Sequence, residues 1–561
     1  MIPRGSGRRF ALVVLGTGIV IVLATLLAYH RTAVAVGPTD PATSTLTLAI
    51  PGPFSGCSVL SDGSSQSDAA VLDLVRPSAF LVGPNNVLSG EGGAFSAAEL
   101  ISLHPETVVY RIDPTLKWSN GRRFSVNDLI TWWRQARARS SIASDGYRDI
   151  SRMVTNKQRT AVIAIFGTDF ADWNLLFHDV EQAGVSLRCG VDQWLKRPSL
   201  GPYRVQSANV HQLVLVANAK WPNNYNRFGR VVIVTNGHSP SASTKYFVGY
   251  EPVATKSLVD NLVADPRVLG QFAHSNEIEE LTFSPLSPTT RDRFLRTALS
   301  WMLDRRQILA HFFSRFTSSP SVPTSALYSQ GEANYPPSTL APQSSALTAA
   351  LIDPSRDCRP CGLTLLRRAG LSRTSLGWKW KNGSTLVVNI AVGPTALDQT
   401  ALALVKAQWS SVGVHVNVVR APTDARAASM SATGEVNVAL FERPTSTTPW
   451  TTARSWSGTP FLDAYPSGLH STTVAELFSQ AQRTFNPTTA SLAWLEMDHE
   501  LLTNYWVRPL FTVPALIEYS GRMANVSSAL SLRGVVDQLT NWGIASPSAA
   551  TTLEPSSSTI G

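Results

Sequence analysis

The sequence is poor in charged residues and in the motifs that carry catalysis. Charged residues make up 16% of the 561 positions, against 43% hydrophobic, and the ten histidines form no HExxH pairing. Neither a GxSxG nucleophile elbow nor a Walker-type glycine loop occurs. We therefore expect a protein that is not an enzyme. A Ser-His-Asp triad assembles from distant positions, so an extracytoplasmic hydrolase stays open as a remote alternative.

The sequence also lacks the basic blocks with interleaved aromatics that bind nucleic acid. The formal charge is +9, but four of those positive charges are Arg4, Arg8, Arg9 and Arg31, which flank the first apolar segment. The charge that remains is modest for so long a chain. We therefore expect no nucleic-acid partner.

One long uncharged run occurs, at residues 10–29, and its length matches the hydrocarbon core of a bilayer. The arginines before it predict a cytoplasmic N-terminus, with the rest of the chain on the extracytoplasmic side of the plasma membrane. The small residues Ala33 to Ala35 offer a cleavage site, so segment 1–35 is either a signal peptide or an uncleaved anchor. Cys57 lies too far from the run to carry a lipid anchor.

Cysteine is scarce, with four residues in the chain. An even number in an exported protein predicts two disulfides, and the spacing suggests Cys57 with Cys189 and Cys358 with Cys361. The CRPC segment is alternatively a redox pair or half of a zinc site, although no second CxxC is present to complete four ligands. We predict no metal site and no cofactor.

The segment around residues 108–135 carries the clearest local signals. Residues 107–112 alternate as a strand, and Asn120-Gly121 is a turn pair. Ser125 and Asp128 have the spacing of a capping box at a helix start. The predicted buried face of this helix consists of Leu129, Trp132, Trp133 and Ala136.

Other segments alternate between strand and helix patterns. Residues 45–50 predict a first strand and residues 61–69 a polar loop. A helix over 398–411, followed by a strand, predicts a crossover unit with parallel strands. A helical region over 474–505 and a strand over 508–513 complete the chain. These patterns indicate a mixed-sheet α/β protein with several lobes.

Five motifs follow one another in an order known from one protein family. The five are Trp118-Ser119-Asn120-Gly121 with Ser125 to Leu129, Gly201-Pro202-Tyr203-Arg204-Val205, Arg296 to Ile308, Leu365 to Leu371, and Gln408 to Val416. Together they resemble the family 5 extracellular solute-binding proteins of ABC importers, which include oligopeptide- and dipeptide-binding proteins. The resemblance extends over about Thr45 to Val536.

The resemblance implies an α/β, two-lobe periplasmic-binding-protein-like fold of the large, peptide-binding type, with mixed sheets and a hinge between the lobes. It places an N-terminal lobe at 45–285 with a subdomain at about 76–195, and a C-terminal lobe at 286–505. A linker at 36–44 precedes the lobes, a return segment at 506–545 completes the N-terminal lobe, and a disordered tail follows at 546–561.

The implied function is capture of a peptide or peptide-like solute in the interlobe cleft and its delivery to an ABC permease. The protein would act as a monomer in the cell envelope, anchored by its N-terminal helix or secreted after cleavage. An alternative keeps the fold but loses transport, leaving a membrane-tethered envelope protein that binds a lipid, a glycan or a protein. Fold-level resemblance does not choose between the two.

The ligand loop departs from the family pattern. Peptide binders carry an acidic residue there for the peptide's α-ammonium, whereas Thr445 is the nearest counterpart in this chain. Glu442 could substitute, pair with Arg443, or face solvent. The predicted solute contacts are Phe441, Glu442, Arg443 and Trp450, with Asn85 and Asn86 as candidates from the other lobe, although a turn is an equally available role for the two asparagines.

Overall fold

A computed structural model describes residues 44–545 apart from 62–64, 91–92, 140–143, 223–227, 236–243, 266, 314–321, 331, 333–334, 336–356, 446–448, 459–464 and 532–533. The predicted leader 1–35, nearly all of the linker 36–44 and the tail 546–561 lie outside the described residues. Within the described ranges, no helix is both long enough and apolar enough to cross a bilayer.

The described chain forms strands and helices in alternation. The strands are β1 Thr45–Ile50, β2 Phe80–Val82, β3 Leu88–Gly90, β4 Phe95–Leu103, β5 Glu106–Ile112, β6 Ile150–Thr155, β7 Ala161–Phe166, β8 Tyr203–Ala208, β9 Gln212–Ala217, β10 Arg230–Thr235, β11 Phe247–Glu251, β12 Val268–Phe283, β13 Ser372–Thr374, β14 Gly377–Lys379, β15 Val387–Val392, β16 His415–Arg420, β17 Val438–Pro444, β18 Val507–Ser520, β19 Met523–Ala524 and β20 Gly543–Ile544.

The α-helices are α1 Gln66–Val75, α2 Val126–Arg137, α3 Gln193–Lys196, α4 Lys256–Ala264, α5 Pro288–Arg291, α6 Arg293–Trp301, α7 Arg305–Phe313, α8 Arg359–Arg368, α9 Ala396–Ser411, α10 Asp424–Ala432, α11 Pro449–Arg454, α12 Thr472–Gln482 and α13 Pro487–Thr503.

One large mixed sheet runs through the molecule. Its ten strands have the order β16-β15-β17-β12-β18-β11-β1-β10-β9-β8. Parallel pairs join β15 to β16 and β17, and join β1 to β10 and β11, whereas the central pairs are antiparallel. The molecule is therefore mixed α/β, and two parallel groups of strands are connected through the long central strands β12 and β18.

The pairing of β12 with β18 changes register at two points, between His274 and Ile278 and again between Glu279 and Glu280. Residues 268–274 of β12 pair with 514–520 of β18, and at the first and wider interruption the pairing resumes at Ile278, which pairs with Thr512. In the first section, β18 also pairs with β11 on its other side. In the second section, β12 also pairs with β17 on its other side. A register shift locally disrupts the ladder and bends the strand. Residues 275–277 thus form a break between the two halves of the sheet.

A second sheet of four antiparallel strands, β4-β5-β7-β6, contains the strand predicted over 107–112. The capping box predicted from Ser125 and Asp128 is present at the start of α2. Trp132 and Trp133 are buried, and Trp132 Nε1 donates a hydrogen bond to the Tyr147 hydroxyl at 3.0 Å. The tryptophans of this segment therefore belong to the core.

The crossover predicted around 398–411 is confirmed. Strand β15, helix α9 and strand β16 follow one another, and β15 pairs with β16 in parallel. Thr395 caps α9, because its side chain accepts the Asp398 N–H while the Asp398 carboxylate accepts the Thr395 N–H. This capping box fixes where α9 begins.

One detail of the sequence prediction was wrong, and two others are confirmed with different bounds. Residues 66–69 are not a loop but the first turn of α1, because Ser65 and Asp68 form a capping box there. The helical region predicted over 474–505 is confirmed as two helices, α12 and α13, which are separated by residues 483–486, and Asn486 caps the second. The last strand of the main sheet is also longer than 508–513, since β18 extends over Val507–Ser520.

Two parts of the chain that are distant in sequence pack into one core. The four-stranded sheet and α2 share a hydrophobic cluster with α11, α12 and α13. Trp450 and Phe170 meet edge to face, with ring centroids 5.4 Å apart, and the Ala171 N–H donates to the Gln482 carbonyl at 2.8 Å. The N-terminal and C-terminal parts are therefore in direct contact.

Both disulfides of the structure join the pairs that the spacing suggested. Cys57 is bonded to Cys189 and Cys358 to Cys361. The first connects segments 132 residues apart, and the second lies at the start of α8. In the structure, CRPC is thus a local disulfide.

Candidate functional site

Acidic side chains converge at the carboxyl ends of the parallel strands β15, β16 and β17. Helices α9 and α10 begin just after β15 and β16, so their first turns lie at the same edge of the sheet. In open α/β sheets, this edge is where ligands bind. The acidic cluster consists of Glu277 and Glu279 of β12, Glu442 of β17, Asp398 of α9 and Asp424 of α10.

Three carboxylates of the acidic cluster are close enough to hold one ion. Oxygen atoms of Glu279, Asp398 and Glu442 all lie within 4.8 Å of one another. Glu279 pairs directly with Glu442 in the β12–β17 ladder, so both side chains leave the sheet on the same face. Asp398 is brought to them by the capped start of α9. The Thr395 hydroxyl donates to Glu442 Oε1 at 2.8 Å.

Several oxygens of the acidic cluster have no donor. Glu279 is 0% exposed, and neither of its Oε atoms accepts a hydrogen bond from an N–H or hydroxyl group of the described residues. In the same part of the structure, Asp398 Oδ1 and Asp424 Oδ1 are also buried without such a donor, so a hydrogen bond between Glu279 and Asp398 or between Asp398 and Asp424 requires that the two carboxyl groups share a proton. The charged groups that face Glu279 are other carboxylates, namely Asp398, Glu442 and Asp424. Buried carboxylates normally have hydrogen-bond partners or counter-ions, so this arrangement is unusual.

Lysine, arginine and histidine do not compensate this charge. Across the described ranges, no member of the acidic cluster forms an ion pair with a basic side chain. Carboxyl groups this close together repel one another when all are ionised. The acidic cluster therefore either keeps protons at neutral pH or binds a cation.

Burial raises the pKa of every member of the acidic cluster. Desolvation raises the pKa of Glu442 to about 8, helped by the charge of Glu277. It raises the pKa of Asp424 to about 7, helped by Asp398. Desolvation also raises the pKa values of Glu277 and Asp398, and that of Glu279 well above its usual range.

Gly393 leaves the space in which two of these carboxylates sit. It follows β15 and precedes α9, and its N–H donates to the Leu440 carbonyl at 3.0 Å. A Cβ atom at this position would lie 2.0 Å from Asp424 Oδ1 and 2.5 Å from Asp398 Oδ2. Any larger residue would thus displace the carboxylates from the cluster.

Arg443, a predicted solute contact, is engaged inside the protein. Its Nε and Nη2 atoms donate to the two carboxylate oxygens of Glu280, each at 2.8 Å, and Nη2 also donates to the Ala326 carbonyl. Both charged side chains are almost fully buried. The guanidinium of Arg443 pairs with Glu280, whereas Glu442 points to the acidic cluster on the other face of β17.

The two predicted aromatic contacts also have protein partners. Phe441 is buried and stacks on Tyr465, with an interplanar angle of 17° and centroids 5.8 Å apart. Trp450 is buried against Phe170, as described above. Burial raises the pKa of the Tyr465 phenol, and the charges of the acidic cluster add to this shift. The structure thus brings three of the predicted residues together on β17 and places Trp450 where the N-terminal and C-terminal parts meet.

Asn85 lies in a different part of the molecule. It is in a 3-10 turn, Pro84–Asn86, with a left-handed φ of 57°, and its N–H donates to the Leu530 carbonyl at 2.8 Å. The neighbouring residue Pro84 lines a cavity of about 240 Å³, together with Trp221 and Asp537. Asn85 and Asn86 therefore have the turn role that the sequence also allowed, and their part in solute binding stays a prediction.

Sequence reasoning missed four members of the acidic cluster: Glu277, Glu279, Asp398 and Asp424. A signal existed, because an acidic residue lies in the first turn of the helix after each of two successive parallel strands. The two glutamates of β12 gave no such signal. They are buried only because β12 lies between β17 and β18.

Known proteins share this fold and sequence pattern. The family model of bacterial extracellular solute-binding proteins, family 5 Middle, matches residues 101–460, more than half of the chain. The chain belongs to this family. The resemblance expected from the five motifs is thereby confirmed, and so is the two-lobe, peptide-binding-type fold class.

Individual relatives are distant. The oligopeptide-binding protein OppA of Mycobacterium tuberculosis (strain ATCC 25618 / H37Rv) is 22% identical over 176 residues, which cover 28% of this chain and 29% of that protein. The probable monoacyl phosphatidylinositol tetramannoside-binding protein LpqW of the same strain is 22% identical over 322 residues, covering 54% of this chain and 50% of LpqW. The chain thus aligns with half or less of the length of these relatives.

Among solved structures, the periplasmic EDTA-binding protein EppA superposes with a TM-score of 0.76. The two chains are 18% identical, and the match covers 92% of this chain and 98% of EppA. At this identity, the comparison shows a common fold.

Proposed function

We propose that this protein captures a peptide or peptide-like solute between its two lobes and delivers it to an ABC permease on the extracytoplasmic side of the plasma membrane. The observation that carries the proposal is the break at residues 275–277, where β12 and β18 change register between the two halves of the main sheet. Strands that continue through such a break are suited to act as a hinge.

Contacts across the two parts support closure about this hinge. The Phe170–Trp450 ring pair and the hydrogen bond from Ala171 to Gln482 each join a segment that precedes residues 275–277 in the sequence to a segment that follows them. Contacts of this kind can form and break as a unit when a ligand favours one arrangement over the other. The arrangement described here fits a closed state.

The solute class is inferred from the relatives. OppA is an oligopeptide-binding protein, and the five sequence motifs follow the order of the peptide-type importers. The absence of an aspartate at Thr445 argues for a solute that is recognised differently from a free peptide N-terminus at that position. Peptide-like solutes with a blocked or modified terminus are therefore included in the test.

The test is ligand capture by the purified protein. Native mass spectrometry would first look for a co-purified molecule, and thermal unfolding would then be followed with pooled di- to octapeptides, glycans and lipid head groups. A solute that binds the folded state raises the melting temperature by mass action. Small-angle X-ray scattering with and without that solute should show a smaller radius of gyration when it is bound. A peptide pool that changes neither quantity would contradict the proposal.

A second candidate is supported by one relative. LpqW is named for binding a mannosylated phosphatidylinositol, and its alignment covers 54% of this chain, nearly twice the share that OppA covers. A membrane-tethered envelope protein that binds a lipid or a glycan is therefore the alternative. Stabilisation by glycan or lipid head groups, with no response to peptides, would favour it.

A further inference from the structure

We propose that the acidic cluster is a binding site for one hard divalent cation of the Ca²⁺, Mg²⁺ or Mn²⁺ class, held by Glu279, Asp398 and Glu442. No sequence motif indicated a metal site, because the ligands come from three separate elements. The inference is independent of solute import. It depends on the geometry of the carboxylates and on their missing partners.

The donor set defines the class of ion. Oxygen atoms from the three carboxylates lie within 4.8 Å of one another, close enough to surround one ion after small side-chain adjustments. All of the offered ligands are carboxylate oxygens, which suit hard divalent cations and not the softer ions that prefer thiolate or imidazole. Asp424 could supply a further oxygen, since its Oδ1 is buried without a donor.

Glu279 is the second, independent observation that points to a ligand. Its side chain is fully buried and faces the other carboxylates, and its two oxygens accept no hydrogen bond from an N–H or hydroxyl group of the described residues. An unpaired buried carboxylate costs free energy unless it is protonated or neutralised. A bound divalent cation would neutralise it together with Asp398 and Glu442.

The surroundings orient the proposed ligands. Thr395 holds Glu442 through its hydroxyl and Asp398 through its N–H, at 2.8 Å in each case. These bonds occupy one oxygen of each carboxylate and leave Asp398 Oδ1 free of any described donor. Hydrogen bonds behind the ligands are a common feature of metal sites, where they fix ligand orientation. Gly393 completes the site by leaving room for Asp398 and Asp424.

The experiment uses the full chain, passed over a chelating resin so that no soluble chelator remains. Mn²⁺ is then added, and the free ion is measured by electron paramagnetic resonance while thermal unfolding is followed in parallel. We expect about one equivalent to bind and the melting temperature to rise, with weaker binding at about pH 5.5 than at about pH 7.5, because protons compete for the carboxylates. Ca²⁺ should displace the bound Mn²⁺.

Two variants test the ligands. Glu279→Gln and Glu442→Gln should each weaken Mn²⁺ binding by about 100-fold or more, because each removes a charged ligand. Metal-free Glu279→Gln should unfold at the same temperature as the wild type or higher, since it removes an uncompensated buried acid. Glu435→Gln is the matched control, because Glu435 is a half-exposed carboxylate paired with Arg426 outside the acidic cluster. It should bind Mn²⁺ like the wild type.

Two results would overturn the proposal. One is saturating Mn²⁺ that leaves the wild type without bound ion or thermal shift. The other is a peptide that stabilises the metal-free wild type, fails to stabilise Glu442→Gln, and is not affected by Mn²⁺, which would assign the acidic cluster to a solute ammonium group. Failure of the metal site leaves the solute-capture test unchanged, and failure of solute capture leaves Mn²⁺ binding unchanged, so the two proposals are tested separately.

Discussion

Arg443 and Glu280 form a buried, two-bond ion pair between neighbouring strands, with Nε and Nη2 of the guanidinium each 2.8 Å from a different carboxylate oxygen. Arg443→Ala would leave the Glu280 charge buried without a partner. We expect the free energy of unfolding to fall by about 3 to 5 kcal/mol. Urea unfolding followed by tryptophan fluorescence measures this loss.

The exposed pair of Arg426 and Glu435 provides the control for that variant. Arg426→Ala should change stability little, because solvent screens exposed ion pairs. The double variant Arg443→Met with Glu280→Leu should recover much of the loss, since it removes both charges and fills similar space. If Arg443→Ala is as stable as Arg426→Ala, the buried pair is not formed in solution.

The two disulfides should differ in their contributions to stability. Cys57 and Cys189 are separated by 132 positions, whereas Cys358 and Cys361 are separated by 3. By loop-closure entropy, replacing the first pair with serine should lower the free energy of unfolding by about 5 kcal/mol and the second by about 2 kcal/mol. Equal losses would show that the long-range bond does not restrict the unfolded chain as expected.

Local signals in the sequence predicted local structure well. The capping box at Ser125 and Asp128, and the crossover built around α9, depend on residues a few positions apart, and both are present. The family was predicted because several such units follow one another in a fixed order. Fold class therefore followed from short-range patterns together with their sequence order.

The acidic cluster shows where prediction from sequence ends. Glu279 and Glu442 are far apart in sequence, and they meet because β12 and β17 pair in one particular register. A shift of one residue would turn Glu279 to the other face of the sheet. A glutamate-rich strand is normally expected to be exposed, and only the order of strands in the sheet explains why this one is buried.

The ring pair of Phe170 and Trp450 should contribute to holding the N-terminal and C-terminal parts together. Trp450→Ala should cost about 3 to 5 kcal/mol of stability and should also raise the radius of gyration measured by small-angle X-ray scattering. Trp494→Ala is the control, because Trp494 meets Phe478 between the neighbouring helices α12 and α13. It should destabilise the fold without changing the radius of gyration. Identical scattering from the two variants would argue against a closing contact at Trp450.

Thr395 has two roles that can be separated by mutation. Its hydroxyl caps α9 and also donates to Glu442, whereas the Thr423 hydroxyl caps α10 in the same way without a bond to Glu442. Thr423→Ala should cost about 1 kcal/mol, the usual loss for a missing cap. Thr395→Ala should cost about 1 kcal/mol more, for the second hydrogen bond. Thr395→Ser should keep most of the stability from the cap and from the hydrogen bond to Glu442, because serine also has a hydroxyl group. Chemical denaturation measures the stability of all three variants.

The stability of the metal-free protein should decrease as the pH rises. Burial raises the pKa of Glu442 to about 8 and that of Asp424 to about 7, so the folded state holds protons that the unfolded chain releases near pH 4 to 5. A raised pKa in the folded state stabilises the fold fully below the unfolded pKa, and this contribution is lost as the pH passes the folded value. The loss should therefore fall between about pH 5 and pH 8.

Glu442→Gln isolates the part of this pH dependence that belongs to the acidic cluster. The charged groups that face Glu442 are Glu277 and Glu279 on β12, Asp398 on α9 and Asp424 on α10, all acidic, so ionisation of Glu442 adds only repulsion. At pH 5 the variant and the wild type should be about equally stable, and at about pH 8.5 the variant should be more stable by on the order of 2 kcal/mol. Urea titrations at several pH values measure the difference. Addition of Ca²⁺ should remove the difference in stability between the wild type and the variant at high pH, because the cation neutralises the carboxylates that have lost their protons. If the wild type instead becomes more stable with rising pH relative to the variant, Glu442 has a cationic partner in the folded protein and the acidic cluster is not the uncompensated site that its geometry indicates.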